Sequence, residues 1–189
     1  MEKTMKSLHK AALLAAGLAL ALPAAAHPGH GVESGFAAGF LHSLTGLDHL
    51  LALLAVGLWS RQQRQGAVLA PSFLVMMALG ASCAGFLVLP RLETSIAATV
   101  LLLGALAACA PSVQARVPRE LAVLTVGACA FLHGLAHGRE LAGMASGAGF
   151  ILASCLVMAA GAMLPGQRLR RLFGAAIGAA GLCLLAVGG

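Results

Sequence analysis

Six long apolar stretches, separated by short polar or proline-containing segments, constrain the fold of this chain more than any other feature. They cover residues 35–59, 67–89, 94–113, 119–138, 141–163 and 169–189. Each is close to the roughly 20 residues that a helix needs to cross the hydrocarbon core of a bilayer. Because hydrocarbon offers no partner to backbone polar groups, such segments are expected to be helical. The stretches therefore predict an all-α, polytopic membrane protein with six transmembrane helices.

The composition agrees with a membrane protein. Of the 189 residues, 60% are hydrophobic and only 10% are charged, and the mean hydropathy is +0.94. This leaves too little polar surface for a soluble globule of the same length. The net charge of +6 comes from basic residues in short clusters between apolar stretches, without interleaved aromatic residues. That pattern favours loop topology over nucleic-acid binding, so we predict the lipid bilayer as a partner and no nucleic acid.

The first 26 residues have the three parts of a secretory signal. Lys3, Lys6 and Lys10 precede an apolar run over 11–22, and Pro23 and three alanines follow it. This order is typical of a signal peptide with a small-residue cleavage site. We predict a cleavable signal peptide over 1–26 and a single transmembrane domain over 27–189. An uncleaved first helix is the alternative, although the apolar run is short for a span.

The arginines of the loops indicate the orientation. If the mature N-terminus lies outside, the inside loops carry seven arginines and the outside loops carry two. Such an excess agrees with the positive-inside rule, and it predicts a bacterial inner-membrane protein with both mature termini in the periplasm. The inside residues are Arg61, Arg64, Arg116, Arg119, Arg168, Arg170 and Arg171, and the outside residues are Arg91 and Arg139.

Two clusters of histidines and acids interrupt the apolar stretches. Ionisable groups in hydrocarbon cost a few kcal/mol each, so they are expected to face a cavity, a partner or a ligand. Imidazole and carboxylate groups are ligands that borderline divalent cations accept. The clusters therefore indicate a divalent metal ion as partner. HSLTGLDH at 42–49 supplies His42, Asp48 and His49, and LHGLAHGRE at 132–140 supplies His133, His137 and Glu140.

Helical periodicity predicts how each cluster is arranged. His133, His137 and Glu140 fall on one stripe if the fourth helix continues to residue 140, because residues three, four and seven apart share a face. His42 and His49 fall on one face of a continuous first helix, two turns apart. With the two helices running in opposite directions, His42 and His133 are expected at similar depth, with His49 about 10 Å deeper at 1.5 Å per residue.

Structural roles are the alternatives to metal binding. A single histidine in a membrane helix is more often a packing or hydrogen-bonding group than a ligand. For Asp48 the alternative is a helix cap or an interhelical hydrogen bond. For Glu140 it is a solvated loop acid paired with Arg139. Six polar residues on two facing stripes favour the metal interpretation over these roles taken one by one.

The segment HPGH at 27–30 directly follows the expected cleavage site. A free amine and an imidazole on His27 would chelate one metal together, with His30 reaching it from a turn. We therefore consider His27 and His30 a capture site at the mouth of a metal path. The alternative is an ordinary polar tail.

Glycines at four-residue spacing occur in three places. Gly35 and Gly39, Gly134 and Gly138, and Gly143 and Gly147 have this spacing. Small residues let membrane helices approach closely, so these pairs predict helix packing.

These motifs together resemble the HupE/UreJ family, the hydrogenase and urease accessory nickel permeases, some of which are thought to carry cobalt. The resemblance covers essentially the whole chain, from the signal peptide and HPGH to HSLTGLDHLLALLAVGLW in the first stretch and LHGLAHGRE in the fourth. The family pattern has proline after the first histidine and phenylalanine before the second motif, where this chain has Ser43 and Leu132. Ser43 removes a helix kink near His42.

The resemblance implies a secondary transporter (permease), not an enzyme, that takes up Ni²⁺ or Co²⁺ across the bacterial inner membrane for maturation of a hydrogenase or urease. It implies that the metal is a transported substrate, with no tightly bound cofactor, and that the path is lined by His42, Asp48, His49, His133, His137 and Glu140. The choice between nickel and cobalt, proton coupling and the oligomeric state, a homo-oligomer included, stay open at this point.

Two other classes of protein compete with this interpretation. Histidines on two facing helices are able to ligate a b-type haem, although acids beside the ligands favour a cation over a macrocycle. An intramembrane serine protease is the second, because residues 80–83 read Gly-Ala-Ser-Cys and His133 or His137 follows on a later helix. That pattern is short and leaves Asp48 and His49 without a role.

Overall fold

A computed structural model describes residues 33–188 of the chain. The predicted signal peptide and the segment with His27 and His30 lie outside these residues. A 3₁₀ turn over Gly66–Val68 precedes α3, and two-residue strands β1 (Glu33–Ser34) and β2 (Leu141–Ala142) pair in parallel. The helices are α1 (Phe36–Thr45), α2 (Leu47–Ser60), α3 (Leu69–Cys83), α4 (Leu92–Ala108), α5 (Pro111–Gln114), α6 (Arg119–His137), α7 (Gly143–Met163) and α8 (Gln167–Gly188).

The all-α prediction is confirmed, and by length and composition residues 33–188 contain four or five candidate membrane spans, where the sequence predicted six. Four helical segments are long and apolar enough to cross a membrane: Gly66–Cys83, α6, α7 and Gln167–Val187. The bent pair of α1 and α2 makes a fifth if the two helices form one span. The third predicted stretch is shorter than expected, because α4 has 17 residues and the chain then turns into α5. The part of the chain described is thus a multi-pass membrane protein.

The expectation of one continuous first helix is wrong. The chain bends by 79° between α1 and α2, at Gly46, whose ψ of 102° leaves the helical region. Glycine has the highest backbone freedom and disfavours the helix interior. The Thr45 hydroxyl bonds the carbonyl oxygen of Leu41 at the end of α1. Asp48 then accepts the backbone N–H of His49 in the first turn of α2, at 2.7 Å, and satisfies a donor that a helix start leaves unpaired. A break therefore occurs although proline is absent at residue 43.

Helix α2 forms the centre of the molecule. Most of its residues from Leu51 to Trp59 are buried, whichever face they occupy, as expected for a helix surrounded by other helices. It packs against α7 on one side and α4 on another. Large apolar side chains of the outer helices, such as Val75, Leu124 and Leu156, are exposed. A continuous apolar exterior of this kind is what a lipid-facing surface requires.

Glycines bring the other helices into close contact in pairs. On α6, a Cβ at Gly134 or Gly138 would collide with the backbone of α3 at Met77 or Ala81. The same holds between α4 and α8, where Gly104 lies against Gly178.

The packing prediction is confirmed for the Gly134 and Gly138 pair. Of the other two pairs only Gly39 is in such a contact, because a methyl group added at Gly35, Gly143 or Gly147 would have no heavy atom within 4 Å.

Candidate metal centre

The bend at Gly46 and the end of α6 bring the two histidine clusters together. The start of α2 carries His49, and the last two turns of α6 carry His133 and His137, so these rings meet at one end of the helix bundle. His42, near the end of α1, contacts the same place from the side, with its ring 5.0 Å from that of His137. The prediction that His49 lies about 10 Å deeper than His133 is wrong, because the two rings are 5.5 Å apart.

The inner group consists of His49, His133 and His137. One ring nitrogen from each lies within 4.8 Å of the other two, a spacing that a single metal ion is able to bridge. His49 and His133 are fully buried and His137 is 8% exposed. Phe150 of α7 stacks on His49 with ring centroids 4.6 Å apart. The three imidazoles are therefore held in a buried pocket within the bundle.

One nitrogen of each inner ring has no hydrogen-bond partner among residues 33–188. These atoms are Nδ1 of His49, Nδ1 of His133 and Nε2 of His137. A buried polar atom without a partner carries a free-energy cost of about 1–3 kcal/mol, so three in one pocket need an explanation. Binding of a cation by three imidazole lone pairs would supply it.

The outer group consists of His42, His137 and Glu140. The carboxylate Oε2 of Glu140 lies 2.7 Å from Nδ1 of His137 and 3.0 Å from Nε2 of His42. Hydrogen bonds from His137 and then from His42 hold the pKa of Glu140 below its usual range. The side chains of His42 and Glu140 are 17% and 40% exposed, so this group is open to the surroundings where the inner group is not. His137 belongs to both groups.

Glu140 reaches the histidines by a turn and not by a longer helix. Helix α6 ends at His137, and the backbone N–H of Glu140 donates to the carbonyl oxygen of His137 at 3.0 Å. The helix does not continue to residue 140, which was the condition for a single helical stripe, although the three side chains still share one side. The alternative of a loop acid paired with Arg139 is also wrong, because the guanidinium of Arg139 donates to the carbonyl oxygen of Ala84 instead.

Asp48 stands apart from both groups. Its carboxylate accepts the backbone N–H of His49 within the first turn of α2, which is near the capping role considered as an alternative, although the N-cap residue itself is Gly46. It is partly buried and belongs to neither set of three possible ligands. Its charge at the start of α2 nevertheless lies one residue from a ligand of the inner group.

Sequence reasoning missed the hydroxyl groups behind the inner histidines. Thr99 of α4 lies 2.9 Å from Nε2 of His133, and Ser154 of α7 lies 3.4 Å from Nε2 of His49. Ser43, which is fully buried, bonds Ser154 at 3.0 Å. Single hydroxyl residues are common in membrane helices, where they often bond the preceding turn. Only their contacts in the folded chain distinguish Thr99, Ser154 and Ser43 from other hydroxyl residues of the helices.

The geometry disfavours both competing classes. The rings of His49, His133 and His137 lie 5.1–6.5 Å from one another, and Phe150 fills the adjacent space, so these residues leave no gap for a haem macrocycle. For a serine protease, Ser82 would have to bond a histidine. Its hydroxyl instead donates to the carbonyl oxygen of Ala78 and is exposed on α3.

A second polar region lies at the opposite ends of α2 and α6. There a cavity of about 460 Å³ is lined by Gln63, Arg64 and Arg119, with no acid among its lining residues in the described chain. Gln114 also lines it, and its buried amide oxygen accepts a hydrogen bond from the indole of Trp59 at 2.6 Å. This region lacks the ligands of a metal site.

The fold and the site define a multi-pass membrane protein with a buried cluster of imidazoles that opens through a carboxylate to one end. The chain belongs to the HupE/UreJ family: the family model described as HupE / UreJ protein matches residues 13–189. The family is one of transporters and not of enzymes. The chain is similar to Protein HupE of Rhizobium leguminosarum bv. viciae, with 38% identity over 182 residues that cover 88% of this chain and 93% of that protein. No solved structure matches the chain.

Proposed function

We propose that this protein is a secondary transporter that takes up Ni²⁺ or Co²⁺ across the bacterial inner membrane and so supplies the maturation of a metalloenzyme, a hydrogenase or a urease. The observation that carries the proposal is the set of three buried imidazole nitrogens without a partner in residues 33–188. Imidazole nitrogen suits nickel and cobalt, whereas magnesium and calcium prefer oxygen. The metal is then the transported substrate and not a resident cofactor.

The two groups support a path with two steps. A cation would first meet His42, His137 and Glu140, where the ionised carboxylate offsets part of its charge. It would then pass to His49, His133 and His137 in the buried pocket. His137 belongs to both groups, with Nδ1 beside Glu140 and Nε2 without a partner in residues 33–188, so its ring links the two steps.

The membrane potential is sufficient to drive this movement inward. Two charges crossing an inside-negative membrane gain about 4.6 kcal/mol per 100 mV, at about 2.3 kcal/mol per charge. The sequence has no Walker motif with which the chain itself would couple to ATP. Facilitated uptake therefore needs no further energy source. In this orientation both mature termini lie in the periplasm, as the arginine distribution indicates.

The parallel pairing of β1 and β2 supports a capture role for His27 and His30. Strand β1 begins at Glu33 and pairs with β2, which directly follows Glu140. The start of β1 at Glu33 therefore lies close to the outer group. His30 precedes Glu33 by three residues, a segment that spans at most about 11 Å. Histidines there would raise the local metal concentration at the entrance.

Uptake kinetics of radioactive nickel in cells that express the full chain would test the proposal. We expect alanine at both His27 and His30 to raise the half-saturating nickel concentration, with uptake restored by excess metal. We expect His133→Ala to lower the maximal rate without rescue, because the partly dehydrated cation loses a buried ligand.

Competition by cobalt and by magnesium in the same assay tests the choice of metal. Cobalt is expected to compete and magnesium is not, because the inner group offers nitrogen donors. Uptake that is unchanged in His133→Ala would contradict the proposal. Complete loss at saturating nickel in the variant without His27 and His30 would contradict the assignment of capture.

A further inference from the structure

We propose that Thr99 and Ser154 are positioning residues for the metal-binding histidines: their hydroxyls fix which nitrogen of His133 and of His49 carries the proton, so that Nδ1 of each ring stays free for the cation. The inference rests on the proposed function for the identity of the ligand. Its structural basis is that each of two buried hydroxyl groups has a single proton, which it donates to a backbone carbonyl oxygen.

At Thr99 the proton is committed to the backbone. Its hydroxyl lies 2.7 Å from the carbonyl oxygen of Ile96, which is only able to accept. The same oxygen lies 2.9 Å from Nε2 of His133. Since a hydroxyl has one proton, Thr99 must accept a hydrogen bond from His133. Nε2 of His133 is then protonated, and the lone pair of the neutral ring is on Nδ1.

Ser154 repeats the arrangement on another helix. Its hydroxyl donates to the carbonyl oxygen of Phe150 at 2.8 Å. It therefore accepts from Ser43 at 3.0 Å and from Nε2 of His49 at 3.4 Å. Nε2 of His49 is the protonated nitrogen, and Nδ1 again carries the lone pair.

The positions of the nitrogens without partners agree with this assignment of protons. The nitrogens that the hydroxyls leave unprotonated, Nδ1 of His49 and of His133, are the buried nitrogens without a partner in residues 33–188. In His137 the acceptor is a carboxylate. Nδ1 donates to Glu140, and Nε2 is the nitrogen without a partner among residues 33–188. The opposite tautomer would turn an N–H group toward the cation. Such outer partners of metal-binding histidines commonly change metal affinity by about 10- to 100-fold when removed.

Equilibrium binding of Ni²⁺ to the purified full-length protein in detergent tests the role of Thr99. Thr99→Val keeps the branched shape and removes the acceptor, so we expect the half-saturating nickel concentration to rise by about 10- to 100-fold. Thr99→Ser keeps the hydroxyl and is expected to bind like the original chain. The matched control is Thr125→Val, since the Thr125 hydroxyl bonds the carbonyl oxygen of Leu121 and no histidine of the described chain.

Ser154→Ala tests the second hydroxyl, with Ser72→Ala as control. Ser72 on α3 donates to the carbonyl oxygen of Val68 in the same way but has no hydrogen bond to a histidine of the described chain. We expect weaker nickel binding only in Ser154→Ala. If Thr99→Val and Ser154→Ala both bound nickel like the original chain, the inference would be overturned. Equal losses in Thr99→Val and Thr99→Ser would also overturn it, because the hydroxyl would not be the cause.

Nitrogen-15 NMR of histidine in the metal-free protein provides a readout that a packing role would not move, because it distinguishes the two tautomers of a neutral ring. His133→Gln identifies the signals of His133. We expect the Nε2-protonated form in the original chain and a mixture of forms in Thr99→Val. The Nδ1-protonated form in the original chain would overturn this inference alone. The expected tautomer in a protein that neither binds nor transports nickel or cobalt would overturn the proposed function instead.

Discussion

In a neutral imidazole one ring nitrogen carries the proton and the other carries the lone pair that is able to bind a metal. The nitrogen that has a hydrogen-bond acceptor beside it keeps the proton. At His137 the acceptor is the carboxylate of Glu140, at 2.7 Å. At His133 it is the hydroxyl of Thr99. Charge near these rings comes from Glu140 and, one residue from His49, from Asp48. A cation that replaces bound water by neutral nitrogens needs such charges, because desolvation in a low dielectric is costly.

Asp48→Asn separates the charge of this residue from its hydrogen bond to the backbone of His49. The amide oxygen of asparagine is still able to accept the backbone N–H of His49, so the start of α2 is expected to be kept. The charge is lost, and we expect nickel uptake at limiting metal to fall severely while the amount of protein in the membrane stays near normal. The assay is radioactive nickel uptake with a quantitative immunoblot. Unchanged uptake would show that Asp48 does not act on the path.

At the scale of helices, two kinds of glycine shape the molecule. Gly46 ends α1 and allows the bend that directs His42 and His49 to the same ring, that of His137. Gly134 lets α6 approach the backbone of α3 at Met77. The ring positions of His133 and His137 depend on how closely α6 packs against α3. Gly134 therefore stabilises the site through this packing.

Gly134→Ala should therefore destabilise the protein. The added methyl would collide with the carbonyl oxygen of Met77, which is backbone and cannot move aside without shifting α3. Overpacking of this kind costs about 1–3 kcal/mol. Gly147→Ala is the matched control, because a methyl there has no heavy atom within 4 Å. Thermal unfolding in detergent should show a lower midpoint for Gly134→Ala only. Equal midpoints in the two variants would contradict the close packing of α3 and α6.

The sequence was sufficient to predict the helices and five of the residues that meet, namely His42, His49, His133, His137 and Glu140, but not how they meet. Periodicity and residue type pointed to His133 and His137 on one face of a helix, and this is what α6 presents. The break at Gly46 was not predicted, because a glycine inside an apolar stretch is also compatible with a continuous helix. The return of Glu140 depends on a turn. Contacts such as Thr99 with His133 join residues 34 apart in the chain, which no local pattern encodes.

For the whole molecule, the site and the basic cavity lie at opposite ends of the bundle. The histidines and Glu140 are at one end, and Arg64 and Arg119 line the cavity at the other. The positive-inside rule would place this positive cavity on the cytoplasmic side, and the exposed end of the site would then face the periplasm. A cation path of this orientation receives metal from outside and is driven inward by the membrane potential.

Reporter fusions test this orientation. A reporter active only in the periplasm should be active when fused after Gly189 and silent when fused at Gln65. The reason is that Gln65 lies in the loop with Arg61 and Arg64, which the arginine distribution assigns to the inside. The reverse pattern would contradict both the predicted signal peptide and the direction of uptake.

The central claim is that three buried imidazoles hold the transported cation, and X-ray absorption at the nickel edge tests it most directly. The purified full-length protein, loaded with one equivalent of Ni²⁺, should show nitrogen and oxygen neighbours with the scattering pattern of about three imidazole rings. His133→Ala should lose one ring from this pattern, whereas alanine at both His27 and His30 should leave it unchanged. Sulfur neighbours, or a spectrum of hydrated nickel without imidazole scattering, would contradict the account.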